Sequence, residues 1–393
     1  MNTKTIYQNC CCLLLRTNSL DVPYVAAKPL GTSGASHLPA PDFPHRLTRL
    51  TMQLGLSEAL PALVSRRFIS ARDAGHLVFS QTHLAIINAA GISYQLRYCP
   101  ALAKKPTNLT PNHESKSPKP DPFENPSPDL LIAQFPPEKP VYNLILNKFP
   151  VIPNHFLLVT KDWQAQTDLL DKGDLEATYE CLKAWNTGDG SKGLFAFFNS
   201  GDDSGASQPH RHLQFLPVEA MRQPGSDSWH PLIDLLQPTS PSPSPKFQHL
   251  SGLPFAHFAL PLPQNPSADT LHSIYMTLYK AAAAATRGYA HDQDPEALPS
   301  QGPSSISYNL AMTRSTMLIC PRRQETALIP IEPAAARDIA DPGVLSLNGT
   351  ILAATLMVKA EGEWDSLREN PDSLTQVLAT VGYPRTDARG PSL

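Results

Sequence analysis

The chain has no cysteine framework. Of its six cysteines, Cys10, Cys11 and Cys12 are adjacent, while Cys99, Cys181 and Cys320 are scattered, and no C-x-x-C pair occurs. A disulfide scaffold and a structural zinc site are therefore not expected. A reducing compartment is, with the cytoplasm as first expectation and the nucleus as a second. No apolar run approaches the ~20 residues that span a bilayer, so no membrane partner is expected. Charge is equally sparing: 32 Lys and Arg against 35 Asp and Glu leave a formal charge of -3. That balance lacks the basic footprint of a nucleic-acid surface, and no nucleic-acid partner is expected. It leaves room for a nucleotide, which needs only a local cluster of donors.

What the chain has in excess is proline. Its 41 prolines are about double the usual share, and they gather in a few stretches that read as inserts on a compact body. Residues 1–51 lack sustained periodicity, and their basic residues (Lys4, Arg16, Lys28, Arg46, Arg49) outnumber Asp21 and Asp42. They read as a disordered extension, as sequence ahead of a start at Met52, or more weakly as a mitochondrial presequence. From Met52 to about residue 365 one catalytic domain is expected, with Pro-rich inserts near 107–128 and 222–247, and residues 366–393 as a C-terminal helix and tail.

Within that domain, the apolar spacing of Leu54, Leu56, Leu60, Leu63 and Val64 predicts a helix, then strands follow in Gly75 to Leu102. Lys104 and Lys105 follow, on a solvated face or against a polyphosphate. Residues 106–140 read as a surface excursion broken only by Leu130 to Ile132. A hairpin is predicted from strand Tyr142–Leu146, a turn through Asn147 and Lys148, and strand His155–Thr160. A helix follows over Asp168 to Trp185, then a buried strand from Gly193 to Asn199. Further on come a strand in Leu253 to Pro263, a helix over Asp269 to Thr286, and strands Ser307–Thr313 and Thr316–Cys320. Arg322 and Arg323 read as a solvated strand end or a phosphate contact, and Ile351 to Lys359 as a last strand or helix.

The informative stretch is NSGDDSGASQPHRHLQFLPV, Asn199 to Val218. A loop of Gly, Ser, Asn and Asp can aim donors at an anion. Past Pro209, the run His210 to Phe215 alternates like a strand. His210, His212 and Gln214 then share one face, and Arg211, Leu213 and Phe215 the other. A neutral imidazole is a competent nucleophile near pH 7, and adjacent donors can stabilise charge on phosphoryl oxygens. An H-x-H pair alone is equally a metal-ligand pair or a core histidine beside a surface one, but no third ligand stands at a telling spacing.

SGASQPHRHLQF resembles the active-site segment of the histidine-triad superfamily in its transferase branch, where Gln replaces the third His. Together with YNLILNKFPVIPNHFLLVTK, CPALAKKP, DPFENPSPDLLI, SYNLAMTRSTMLICPRR and NGTILAATLMVK, it is similar to the fungal diadenosine tetraphosphate phosphorylases, also called ATP adenylyltransferases. The resemblance runs from about Met52 to Lys359. It implies a histidine-triad-like α+β fold, a large, mainly antiparallel sheet flanked by helices. It implies the reversible reaction of diadenosine tetraphosphate with inorganic phosphate to give ATP and ADP; a monomer is expected. His212 would be the nucleophile that carries AMP, Gln214 a donor to the phosphoryl oxygens, and His210 a residue that orients its neighbour. Nucleotide contacts carry over to Asn199, Ser204, Gly205, Ala206, Ser207, Gln208, Gln214, Asn348, Gly349, Thr350, Thr355 and Lys359, with Asn147, Lys104 and Lys105 as further candidates. Thr355 stands where an apolar residue, often Met, is usual, and Arg72 where a phosphate-binding lysine is expected. A divalent cation, Mg2+, is expected to accompany the polyphosphate, held mostly by substrate oxygens. Alternative readings are a nucleotidylyltransferase for sugar nucleotides, a non-catalytic nucleotide-binding protein, and a hydrolase.

Overall fold

The computed structural model describes residues 54–104, 120–186, 192–236, 247–289, 298–329 and 343–385. The expectations for residues 1–51, for Lys105, for the Pro-rich run up to residue 119 and for the Pro/Ser run 238–245 lie outside them.

Helix α1 (Leu60–Asp73) starts on Leu60-Pro61, where a fixed φ and a missing N–H cost nothing. Strands β1 (His83–Ala89) and β2 (Ile92–Tyr98) form a hairpin. Its two turn residues, Ala90 and Gly91, both have positive φ, the geometry that matches strand twist in a tight hairpin. Next come β3 (Leu131–Phe135), β4 (Tyr142–Leu146), β5 (Phe156–Thr160), α2 (Lys172–Trp185), β6 (Leu194–Ser200), β7 (His212–Pro217), the short α3 (Val218–Met221), β8 (Phe258–Pro261) and α4 (Ala268–Thr286). The chain continues through β9 (Tyr308–Met312), β10 (Thr316–Pro321), β11 (Thr326–Leu328), β12 (Val344–Ser346), β13 (Thr355–Val358), α5 (Glu361–Glu369) and α6 (Ser373–Val381).

Eight strands build one antiparallel sheet in the order β3-β4-β5-β7-β6-β9-β10-β8. Strands β4, β5, β6 and β9 are buried at every position, which is why their sequences are continuous apolar runs with little alternation. On one face, α1, α2 and α4 close a core around Leu144, Phe156, Phe198, Phe215 and Leu310. On the other, Phe195, Phe197, Leu216, Ala311 and Leu318 meet the small sheet β1-β2-β13 and α6.

Several expectations shift in detail. Residues 222–236 were expected to lie in an insert, yet Trp229, Leu232 and Ile233 are buried in the second core. Proline content reports the absence of regular hydrogen bonding, and it is silent about burial. Residues 349–358 are a 3-10 turn followed by β13, which runs parallel to β2. Arg322 is neither solvated nor a phosphate contact: it is 1 % exposed and bonds Asn309 Oδ1 and the carbonyls of Leu347 and Gln324.

Candidate active site

The site lies where β6 and β7 part. Their ladder runs from Leu194↔Pro217 to Phe197↔Gln214 and ends there. Continued in register, Asn199 would face His212. Instead the buried side chain of Gln166 enters: its Oε1 accepts the His212 backbone N–H at 2.8 Å, and its Nε2 donates to the carbonyls of Asn199 (2.7 Å) and His212 (3.2 Å). One amide thus replaces the missing strand-to-strand bonds and holds a notch open without leaving backbone groups unpaired. Nothing in the sequence marks Gln166 out.

Strand β7 begins at His212, two residues later than the sequence alternation suggests, and His210 sits in a single bridge opposite Ala165. The facing is as expected. Opposite partners share a face, so His212 and Gln214 lie with Val159, Leu157 and Phe197. Arg211 points to the helical side and pairs with Asp174 of α2 at 2.7 Å.

The His212 imidazole is 3 % exposed, with its Nδ1 2.8 Å from the His210 carbonyl. A carbonyl only accepts, so Nδ1 carries the hydrogen and Nε2 keeps its lone pair. Burial pushes the ring's pKa down to about 4; the bond to the His210 carbonyl and the Asp121 carboxylate act against the shift, and the neighbouring His210 ring adds to it. The ring is therefore neutral at physiological pH.

Gln214 gets its orientation from a residue the sequence reading left unassigned. His155 Nε2 lies 3.1 Å from Gln214 Oε1, and His155 Nδ1 lies 3.0 Å from Asn147 Nδ2. Asn147 Oδ1 is fixed in turn by the Phe149 N–H. The consistent assignment makes Asn147 donate to His155 and His155 donate to Gln214, so the Gln214 amide nitrogen is turned outward as a donor. Asn147 thus supports the site through His155.

The other wall is the loop after β6. Asn199 Oδ1 accepts from Asn309 Nδ2 and from the Gly349 N–H, both at 2.9 Å, while its buried Nδ2 has no partner among the described residues. That leaves an amide donor available to a ligand. Asn309 also donates to the Ser204 carbonyl, and Ser204 Oγ closes on the Gly201 carbonyl. Gly205 has φ +76, and a Cβ there would lie 2.8 Å from both Asn348 Cβ and the Leu347 carbonyl, so only glycine lets the loop seat on residues 347–349. Gly349 is held as tightly, its would-be Cβ 2.7 Å from Asn199 Oδ1. Asn199, Ser204, Gly205, Asn348 and Gly349 are therefore brought together. Ala206, Ser207 and Gln208 carry the chain on toward His210, with Ser207 exposed.

The remaining candidates are placed differently. Thr350 Oγ1 bonds the Thr355 carbonyl, and Thr355 Oγ1 the Ala353 carbonyl, both groups buried. These hydroxyls are spent inside the turn rather than offered outward. Lys359 follows β13, half-buried, its N–H bonded to Glu363. Lys104 closes a 3-10 turn after β2. Arg72 is exposed at the end of α1, where its guanidinium bonds Asp73.

A buried H-x-H-x-Q strand, a glycine-bearing loop opposite it and a single eight-stranded antiparallel sheet define a protein of the histidine-triad type in its nucleotidyl-transferring form. Residues 51–237 match the Ap4A phosphorylase N-terminal domain, and residues 251–384 match the ATP adenylyltransferase C-terminal domain. The chain belongs to the Ap4A phosphorylase family. It is 28% identical over 348 residues to Protein APA1 of Saccharomyces cerevisiae, covering 85% of this chain and 97% of that one. It is 27% identical over 354 residues to diadenosine 5',5'''-P1,P4-tetraphosphate phosphorylase 2 of the same yeast, covering 86% and 98%. In structure it is similar to yeast Ap4A phosphorylase Apa2 in complex with Ap4A, with a TM-score of 0.64 at 25% identity, covering 84% of this chain and 99% of that one.

Proposed function

We propose that the protein catalyses the reversible phosphorolysis of diadenosine tetraphosphate to ATP and ADP, with AMP carried on His212. The observation that supports this most directly is the His212 ring, with Nδ1–H committed to the His210 carbonyl, burial holding it neutral, and Nε2 on the face of Gln214 and Asn199. In the first step Nε2 bonds to the α-phosphorus as the bond from that phosphorus to the bridging oxygen breaks, and ATP departs. The ring becomes a cationic phosphoramidate whose Nδ1–H is already paired. In the second step a phosphate oxygen attacks the same phosphorus, ADP leaves, and the Nε2 lone pair is restored. Dividing one displacement in two is the usual gain of covalent catalysis. The outward amide of Gln214 and the buried, unpartnered Nδ2 of Asn199 would donate to the phosphoryl oxygens.

An amide is neither acid nor base in this pH range. With Gln214 where a third histidine could otherwise stand, activation of water is weak and transfer to phosphate is favoured over hydrolysis. The test is product formation from labelled diadenosine tetraphosphate with and without phosphate. Without phosphate one equivalent of ATP per chain is expected, as AMP loads onto His212, and repeated turnover to ATP and ADP only with phosphate; equal turnover without it identifies a hydrolase instead.

Magnesium is part of this proposal only as a companion of the substrate. Among the described residues no three His, Cys, Asp or Glu side chains group to hold a metal. Substrate oxygens and water would therefore be the ion's ligands.

Three results are expected. The acid limb of kcat/KM falls at about pH 4 rather than near 6.5, because only protonated His212 is inert. The same shift has a stability consequence. A group whose folded pKa is depressed contributes stability above its unfolded pKa, and that contribution drains away as pH falls from about 6.5 toward 4. Unfolding of wild type and His212→Asn compared across that window should show a steeper acid loss in wild type. Gly205→Ala is expected to raise KM for the dinucleotide roughly tenfold, the equivalent of ~1–2 kcal/mol of backbone strain and lost loop contact. Steady-state kinetics with a melting curve as folding control checks it.

A further inference from the structure

The Pro-rich stretch ahead of β3 reads in sequence as a surface excursion, yet it returns to the nucleophile. Asp121, between Pro120 and Pro122, places Oδ2 2.6 Å from His210 Nδ1. Its Oδ1 accepts the Phe123 N–H at 2.9 Å. That bond turns the Phe123 ring onto the imidazoles, 5.1 Å from His212 and 6.0 Å from His210 between centroids. Phe123 is buried with Ile145, Leu157 and Val159 as a small third core on the site face. On its far side, the His210 ring puts Nε2 2.8 Å from the Thr160 carbonyl and 3.1 Å from Thr160 Oγ1.

Both nitrogens of His210 are thus engaged by protein, so its ring has no atom left for substrate. The carbonyl and the ionised carboxylate only accept, so this arrangement needs a hydrogen on each nitrogen. A carboxylate that clamps the imidazole also fixes the peptide carrying it. That peptide's carbonyl holds His212 Nδ1 and decides which nitrogen of the nucleophile is free.

We propose that Asp121 is a positioning residue for the transfer reaction, acting through a doubly protonated His210 to lock the His212 ring in its reactive tautomer and orientation. The inference rests on the phosphorolysis reading for its kinetics, while its spectroscopic test is independent of substrate. Asp121 is 22 % exposed, so it can be changed without opening a core. Asp121→Asn is the informative variant. The amide oxygen can still hold the Phe123 N–H, while the amide nitrogen can only donate to the His210 Nδ1 lone pair. Geometry is kept, and the charge and proton on His210 are removed.

For Asp121→Asn with diadenosine tetraphosphate, kcat is expected to fall roughly 10–100-fold, the loss that follows when a charged hydrogen bond is broken, with KM changed less than about threefold. In a rapid-mixing experiment without phosphate, the rate of AMP transfer to the enzyme falls while the final adduct stoichiometry stays as in wild type. In wild type labelled with 15N-histidine, two protonated ring nitrogens are expected for His210 at neutral pH, assigned by their loss in His210→Gln. Only one is expected in Asp121→Asn.

Three results would overturn the proposal: unchanged kcat in Asp121→Asn, a loss confined to adduct stoichiometry (the mark of fewer folded molecules), or a single protonated ring nitrogen on His210 in wild type. Absence of any adduct in wild type would instead overturn the phosphorolysis reading and leave the NMR result to decide the charge state of His210.

Discussion

His212→Ala is expected to lower phosphorolysis by roughly 10⁴-fold or more, since loss of a covalent nucleophile leaves only binding and electrostatic stabilisation. The argument rests on the absence of a substitute. The other imidazoles nearby are committed: His210 to Asp121 and Thr160, and His155 to Gln214 and Asn147. Alanine also leaves the His210 carbonyl without its partner, so His212→Asn is the better control, because its amide can take over that bond while offering no nucleophilic nitrogen. Both variants should retain the dinucleotide's affinity within a few-fold, measured by calorimetry. Residual activity within tenfold of wild type in His212→Asn would remove the nucleophile assignment.

The largest expected effect on stability comes from the opposite face of the same strand. Asp174 is 1 % exposed and receives Arg211 NH1 at 2.7 Å, the Tyr142 hydroxyl at 2.9 Å and the Asp171 N–H at 2.9 Å. Arg211 is 3 % exposed. Asp174→Ala leaves that guanidinium buried with only the exposed Asp171 carboxylate and the Leu169 carbonyl near it. Breaking one side of a buried pair costs about 3–5 kcal/mol, which for a chain of this size lowers Tm by about 10 °C. Removing both charges, as in Asp174→Leu with Arg211→Met, should recover most of that loss. A melting curve for each settles it: a double variant no more stable than Asp174→Ala would mean the pair does more than neutralise itself. Arg211 lies between His210 and His212, so Asp174→Ala should also slow catalysis at temperatures where the protein is still folded.

How much of this could be read from the residues varies with how local the signal is. The hairpin Tyr142–Leu146 and Phe156–Thr160, the helix ending at Trp185 and the strand leading to Asn199 were all legible, because each is written in contiguous periodicity and turn chemistry. So was the split of β7 into a face that carries His212 and Gln214 and a face that carries Arg211. What was not legible came from residues distant in sequence. Asp121 and Phe123 sit in a stretch whose prolines say only that it is irregular. Gln166 matters because a ladder ends nearby, His155 because its ring reaches Gln214 on the next strand. Arg322 looks like an exposed strand end until the turn at 347 and α6 close over it. An acidic residue flanked by prolines, ahead of an aromatic, was the one available hint for Asp121.

The most direct test of the central claim is to trap the AMP-bearing protein. Enzyme is mixed with adenine-labelled diadenosine tetraphosphate in the absence of phosphate, quenched in base and digested, and the labelled peptide is sequenced by mass spectrometry. One AMP per chain, acid-labile, on the imidazole of His212 and released as ADP when phosphate is added, is the expected result. Label on any other residue, or turnover with no adduct at any time after mixing, would contradict it.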